Sequence, residues 1–455
     1  MRCPGRPARQ APAAAADVAA QHNLPSAALR SALLVILGAS GGAALADESS
    51  PSEGLTGDWG GARTRLYQRG VDLQLSYFAE PAYNVTGGSH RLLRSADQFV
   101  MGATADLERL FHWPKATFQL TLTDRNGNNL SSDAGLNTLM QVQEVYGRGN
   151  ILRLTEMSYQ QVFFGGVLDV KLGRLGVGGS FYGWSCQFMN LSFCGQLPGN
   201  IVSNWYNWPV SQWAARVRLA ITQDVQFKIG IYQINPSYLE NDNGLALNPK
   251  GTIGALIPVE LDWSPKFGSE RLPGTYVIGA WQDTADQPDV FLAANYQPQV
   301  LSPGVPPLQR SGEHGFYLNG QQQITTVGED VSRGISVFVN YVHADPNTAQ
   351  ISELFNAGLF FEGPFAQRPR DVLGFAVGWT RVNPRVADGQ QLQNAQGGAP
   401  PVAVQNAEYP VEVFYNINAT RWLSLAPLLQ YVRRPGGTSA NPDVVVVGLN
   451  FGVTF

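Results

Sequence analysis

The chain has 455 residues, 44% hydrophobic and only 15% charged, with 49 Gly, 22 Phe, 16 Tyr and 10 Trp, and a net charge of −4. Charge this sparse beside so much glycine and aromatic content argues against disorder and against an ordinary cytosolic surface, where about 25% of residues are charged. Arginines are spread along the chain with no basic block to track phosphates, so no nucleic-acid partner is expected.

The first feature in chain order is the apolar run 31–39 (SALLVILGA), preceded by Arg30 and followed by Ala44, Leu45 and Ala46. A basic residue, a short greasy core and a small-x-small tripeptide are the marks of a secretory signal. A spanning helix would need about 20 apolar residues. Residues 1–46 are expected to be a cleaved leader, with Asp47 starting a mature chain of 27 basic and 34 acidic side chains, at −7. The segment 47–70 follows, with Trp59, Ala62, Arg63 and Leu66 at helical spacing between Asp58 and Arg69. It predicts a short periplasmic helix that braces the end of the domain formed by 71–455.

From Val71 onward the period is two. Val71, Leu73, Leu75 and Tyr77 alternate with Asp72, Gln74 and Ser76; Trp213, Ala215, Val217 and Leu219 alternate with Ala214, Arg216 and Arg218. Successive side chains of a strand point to opposite faces, so one face is greasy and the other wet. Segments of this kind start near Val71, Phe99, Thr117, Leu152, Val167, Trp213, Val225, Leu256, Thr275, Phe316, Ile335, Leu354, Val372, Val411, Leu423 and Val444. Those at Phe99 and Leu354 are the weakest, because Gly and Ala dilute their apolar face. About sixteen strands is an even number within the range of outer-membrane barrels.

Alternation alone also fits a soluble lectin-like sandwich, so the charges decide. A charge on the lipid face near mid-bilayer costs about 2–4 kcal/mol, which should hold charges to one parity within each strand. Asp169 and Lys171 oppose Leu168, Val170 and Leu172; Glu260 and Asp262 oppose Val259, Leu261 and Trp263. Backbone groups in lipid must all pair within the protein, so the sheet must close. The expected fold class is therefore all-β, a transmembrane antiparallel β-barrel. The last strand, with Val445, Val447, Leu449, Phe451, Val453 and Phe455 on one face, would close against the first. Tyr77, Trp263, Trp281, Trp379 and Trp422 lie near strand ends, where an interfacial girdle belongs.

Inward parity places Arg125, Glu156, Asp169, Lys171, Arg216 and Arg218 as candidates for the lining of the waist. The alternative is that they are wall charges paired with one another. Residues 176–212 interrupt the alternation for too long to be a turn, and their Trp, Tyr, Phe and Asn content argues against disorder. A loop folded into the barrel is expected, with Trp184, Trp205, Tyr206 and Trp208 able to stack on a passing solute or to pack against the wall. Cys186 and Cys194 would staple this loop as a disulfide, or stand as two free thiols. No metal site is expected from two cysteines without a nearby histidine, and no cofactor is indicated.

Several stretches carry a family resemblance. LTGDWGGARTRLYQRG (55–70), LERLFHWPKATFQLTLTDRNGNNL (107–130), GTYVIGAWQDT (274–284), GISVFVNYVHADPNT (334–348) and LLQYVRRPGGT (428–438) resemble, in order and spacing, the carbohydrate-selective porins of the OprB family. The resemblance implies a sixteen-stranded barrel in the outer membrane of a Gram-negative bacterium that admits monosaccharides and related small carbohydrates down their gradient. Its partners would be the sugar, outer-membrane lipid and lipopolysaccharide, and the barrel-insertion machinery reading Phe455, with the barrel a monomer or a homotrimer. Arg125 and Glu156 lie in matching segments (TDRNG and LTEMSYQQVFF), which extends a pore-lining role to them. His112 stands where a glycine is expected, and 297–309 reads as a loop peculiar to this chain. Other readings are a general or weakly anion-selective porin for other small solutes or polyols, and a barrel-based hydrolase. The last has little support, for no G-x-S-x-G elbow or metal-spaced histidine pair is present, and carboxylates two apart on one strand do not face each other across a bond.

Overall fold

The computed structural model describes residues 54–183, 186–397 and 400–455. The expected leader and Trp184 lie outside the described residues. Seventeen strands form one antiparallel sheet: β1 (Val71–Thr86), β2 (Leu93–Asp106), β3 (Ala116–Gly127), β4 (Ile151–Phe163), β5 (Leu168–Leu175), β6 (Gln212–Ala220), β7 (Val225–Ile234), β8 (Gly254–Trp263), β9 (Lys266–Phe267), β10 (Leu272–Ala293), β11 (Pro307–Gln323), β12 (Gly334–Ala344), β13 (Ile351–Glu362), β14 (Val372–Val382), β15 (Ala407–Asn418), β16 (Leu423–Arg433) and β17 (Val444–Thr454). β9 is a two-residue ladder on the foot of β10. The other sixteen close into a ring, because β1 pairs with β2 on one side and with β17 on the other, Tyr77 opposite Val453 and Ala79 opposite Phe451. Every one of the sixteen coincides with a segment of alternating sequence, including the diluted ones at Phe99 and Leu354.

Side-chain burial follows the strand period. On β12, Val337 and Val339 are exposed outward while Phe338, Asn340 and Val342 are buried inward. Leu261 faces out between Glu260 and Asp262, which face in. Closure leaves no strand edge to template aggregation, which an edge as apolar as β17 would invite. The turns after β4, β6, β14 and β15 differ sharply in length, and they sort by end. Connections such as 164–167, 221–224 and 419–422 are short, whereas 128–150, 176–211, 235–253 and 383–406 at the opposite end are long. Short turns mark the periplasmic end of such barrels and long loops the outer end.

At the periplasmic end the helix Ala62–Gln68 lies beside β1, as its spacing predicts. Its Arg63, 8% exposed, donates to the main-chain oxygens of Phe455 at 2.6 Å and Leu73 at 3.1 Å, so the helix is tied across the closing seam. His112 ends the short helix Leu107–Phe111 with φ of 57°, the left-handed conformation that glycine adopts without steric cost. Two expectations need adjustment. Trp281 is not part of a girdle: it is 3% exposed and faces inward against Trp205. The loop expected at 297–309 spans 294–306, because β11 already begins at Pro307. With 22 residues, β10 far exceeds the roughly 9–11 that cross a bilayer, so the β10–β11 hairpin stands clear of the membrane.

Candidate functional site

Two loops turn back into the ring. Residues 176–211, between β5 and β6, carry the aromatic cluster: Phe188 packs against Phe193 of the same loop and against Phe338, Phe360 and Phe414 of the wall, at 5.1–5.9 Å between centroids. Trp205 is fully buried between Trp281 and Tyr317, at 5.7 and 5.8 Å. Cys186 and Cys194 are joined as a disulfide within this loop, their Cα atoms 4.6 Å apart. Both sulfurs lie near the Glu144 carboxylate but, being bonded to each other, offer no thiolate to a metal.

Residues 128–150, between β3 and β4, form a second inward loop that the sequence pattern did not reveal. The two are stitched together, Glu144 N–H donating to the Met189 carbonyl and Leu191 N–H to that of Gln141, each at 2.9 Å.

Inward-facing carboxylates of the wall hold both loops by their backbone. Glu412 accepts from the N–H groups of Met189 and Asn190, one oxygen each, at 2.8 Å. Glu260 accepts from Tyr182 N–H at 2.5 Å and the Tyr317 hydroxyl at 2.6 Å. Glu408 accepts from Leu139 N–H at 2.7 Å and Gly436 N–H at 2.9 Å, and Glu80 from Val145 N–H at 3.1 Å. An asparagine ladder adds to them: Asn319 donates to Asn340, Asn340 to Asn356 at 2.7 Å, and Asn356 to the Ser192 carbonyl at 2.7 Å. Freeing any of these buried donors from its acceptor would cost about 1–3 kcal/mol, so these loops are fixed parts of the lumen.

The loops leave an open cavity of about 420 Å³ against β3. Its lining includes Arg125, Glu144, Arg148, Asn200, Asn207 and Trp208. Arg125 is 4% exposed; its Nε donates to Gln98 at 3.1 Å and one Nη to the Gly147 carbonyl at 2.9 Å, while the other lies 3.9 Å from the Glu144 carboxylate. Burial pushes the Glu144 carboxyl above its ordinary value, with Arg125 pulling the other way. Trp208 presents a half-buried ring at the lining, its indole N–H 3.3 Å from Gln98. The volume and the mix of one aromatic face with several amides and charges suit a small polar solute.

The other expected waist residues sit elsewhere on the wall. Glu156 pairs with Lys171 and accepts from Ser158 at 2.6 Å. Asp169 pairs with Arg216 at 3.0 Å and Arg218 at 2.8 Å. All five point inward, as their parity requires, and none of them lines this cavity among the described residues. Trp205 and Tyr206 are 0% exposed, with no open ring face. Absent from the expected set are Glu80, Glu408 and Glu412, lone carboxylates on the inward parity of otherwise apolar strand segments. That signature is visible in YFAEPAY and PVEVFYN. Arg148 lies in a loop with no periodicity to flag it.

A ring of antiparallel strands narrowed by loops folded into its lumen is the architecture of a porin. Three comparisons sharpen this. The family model described as "Carbohydrate-selective porin, OprB family" matches residues 90–455. Porin B of Pseudomonas aeruginosa is 40% identical over 435 residues, which cover 92% of this chain and 95% of that protein. The high-pH structure of Pseudomonas putida OprB superposes with a TM-score of 0.86 at 42% identity, covering 90% of this chain and 99% of that one. The low-pH structure of the same protein gives 0.57 at 32% identity. The chain belongs to the OprB family of carbohydrate-selective porins, and its place is the outer membrane of a Gram-negative bacterium.

Proposed function

We propose that this porin lets monosaccharides and related small carbohydrates diffuse into the periplasm, selecting them in the cavity between the two inward loops. The observation that carries the reading is the lining itself. Trp208 supplies a flat face for C–H edges while Asn200, Asn207, Glu144 and Arg125 supply donors and acceptors for hydroxyls, at a point narrowed from two sides. On this reading transport is passive diffusion; the carboxylates Glu260 and Asp262 are bridged by one lysine, Lys228, at 2.5 and 2.6 Å, and lie on one strand face instead of opposite each other. Each chain closes its own ring, so one copy suffices for transport. The apolar face of β17, ending at Phe455, is the segment offered to the insertion machinery.

Single-channel recording in a planar bilayer tests the site. Glucose added to the bath should block the current in a saturable way. Trp208→Ala, removing about 1 kcal/mol of stacking, should raise the half-blocking concentration roughly fivefold. An unchanged half-block would take Trp208 out of the sugar site.

A further inference from the structure

On the periplasmic side of the loop tips, part of the lumen wall carries no charge. Glu412 holds the tip of the longer inward loop by the N–H groups of Met189 and Asn190. Strand β15 then runs on toward the periplasm, and Asn416 lies four residues past Glu412, about 13 Å along the strand at roughly 3.3 Å per residue. On β17 Met189 covers Gly448, where a Cβ would stand 2.5 Å from the Met189 Cε, and Asn450 follows two residues nearer the periplasm. From these positions to the periplasmic ends of β15, β16 and β17 no inward-facing residue is charged. The paired charges of Lys171, Asp169, Lys228 and their partners all lie on β4–β8.

This uncharged wall has a defined pattern. Asn450 lies opposite Ala426, and Ser424 opposite Gly452. The β15–β16 register, with Phe414 opposite Leu428 and Asn418 opposite Ser424, sets Asn416 level with Ala426. Two rows result, with Asn416, Ala426 and Asn450 in one and Asn418, Ser424 and Gly452 in the next. Phe78 of β1 lies opposite Gly452 and borders the second row. A Cβ at Gly452 would come within 2.6 Å of the Ser424 Oγ and 3.6 Å of the Phe78 ring, so bare backbone keeps hydroxyl and ring apart. The floor of the patch is small and its rim is made of amides.

The amide oxygens are unused. Oδ1 of Asn416, of Asn418 and of Asn450 is in each case buried without a hydrogen-bond partner, and Asn450 as a whole is 7% exposed. A buried acceptor left without a donor lowers stability, so three of them within two rows call for a ligand that supplies the donors. Hydroxyl groups are such donors. An ionic or zwitterionic solute would find no counter-charge on this wall, and shedding the water around its charges would oppose its stay. A neutral sugar brings several hydroxyls and no charge.

We infer that the asparagine rows of β15–β17 are a second carbohydrate station, on the periplasmic side of the loop tips, which binds neutral monosaccharides through their hydroxyls. Asn416 and Asn450 accept from the sugar on either side of the Ala426 floor. A sugar released from between the loops meets this wall before it reaches the periplasm, whereas an amino acid of equal size gains nothing from it. The station adds to the carbohydrate reading and rests on it for its class of solute, but it is uncharged and none of its residues lines the cavity between the loops.

Current noise in a planar bilayer, recorded with rising glucose on both sides, provides the test. Two stations should give two glucose-dependent relaxations in the wild-type protein. In the double variant Asn416→Ala, Asn450→Ala one of them should move to a half-saturating concentration about tenfold higher, the factor that two neutral hydrogen bonds supply, while the other stays. Because the deleted amide oxygens have no partners, the variant should unfold on heating no earlier than the parent, as read from unheated electrophoretic mobility. A single relaxation in the wild-type protein would overturn the inference whether or not the variant folds. So would two relaxations that the substitutions leave unmoved, or a variant that unfolds earlier with its sugar response intact, which would mark the asparagines as wall. Absence of any glucose response from a conducting channel would remove the carbohydrate reading itself, whereas a single relaxation that Trp208→Ala weakens would remove the second station alone.

Discussion

Replacing Asp169 with alanine should destabilise the barrel by about 3 kcal/mol, at the lower end of what breaking a buried ion pair costs. Asp169 sits at the centre of a triad on neighbouring strands: Arg216 lies opposite Lys171 and Arg218 opposite Asp169 itself in the β5–β6 register. One carboxylate oxygen serves Arg216 and the other serves Arg218 and Gln160, at 2.8 Å each for the last two. Arg216 is 3% exposed, so losing Asp169 strands its charge away from bulk water. Two guanidinium groups on adjacent positions of one strand face would then repel each other with nothing between them. The measurable consequence is a fall in the temperature at which the fast-migrating unheated form converts to the unfolded band. Because this triad lies apart from the cavity lining, sugar block should change much less than stability. A variant as heat-resistant as the parent would show that the triad adds nothing to the wall.

Glu412→Ala should have the second large effect, on the pore itself. Both oxygens of Glu412 are occupied by the consecutive N–H groups of Met189 and Asn190, at the tip of the inward loop, and the neighbouring Asn190 amide reaches Gln430 at 2.9 Å. Alanine would leave two backbone donors buried without acceptors, a loss of about 3 kcal/mol at roughly 1.5 kcal/mol each. The loop tip should then leave the wall, taking with it the Met189 carbonyl that positions Glu144. A larger unit conductance, noisier current and passage of disaccharides that the parent excludes are expected in bilayer and swelling assays. The disulfide Cys186–Cys194 spans this same tip, so the loop should move as a stapled body and not unravel. An unaltered conductance would mean that the aromatic contacts of Phe188 suffice to seat it.

The strands were legible and the anchors were not, for a physical reason. A strand against lipid must alternate along its whole length, which writes its address into ten or more consecutive positions. Even Leu354, in a segment rich in Gly and Ala, could be placed. The inward turn of 176–211 could be read from its aromatic density. The turn of 128–150 could not, because Val142, Gln143 and Glu144 are folded inward by polar bonds to Gln430, Glu80 and Met189, which are far away in sequence. Likewise parity shows that Arg125, Glu156 and Asp169 face the lumen, but whether an inward charge meets solute or another charge depends on the neighbouring strand. Lys171 lies opposite Gln160 in the β4–β5 register and reaches along the strand to Glu156, a pairing that is fixed only once that register is set. Arg148 depended on a left-handed backbone that no local pattern encodes.

The account stands on a water-filled ring whose bore is narrowed to monosaccharide size by two anchored loops. Swelling of liposomes that contain the purified protein, driven by uncharged solutes from trioses to trisaccharides with size-matched neutral amino acids alongside, measures this most directly. Rates should fall steeply between monosaccharides and disaccharides and should favour sugars over amino acids of the same size. Liposomes that do not swell, or that swell equally for sugars and amino acids at every size, would contradict it.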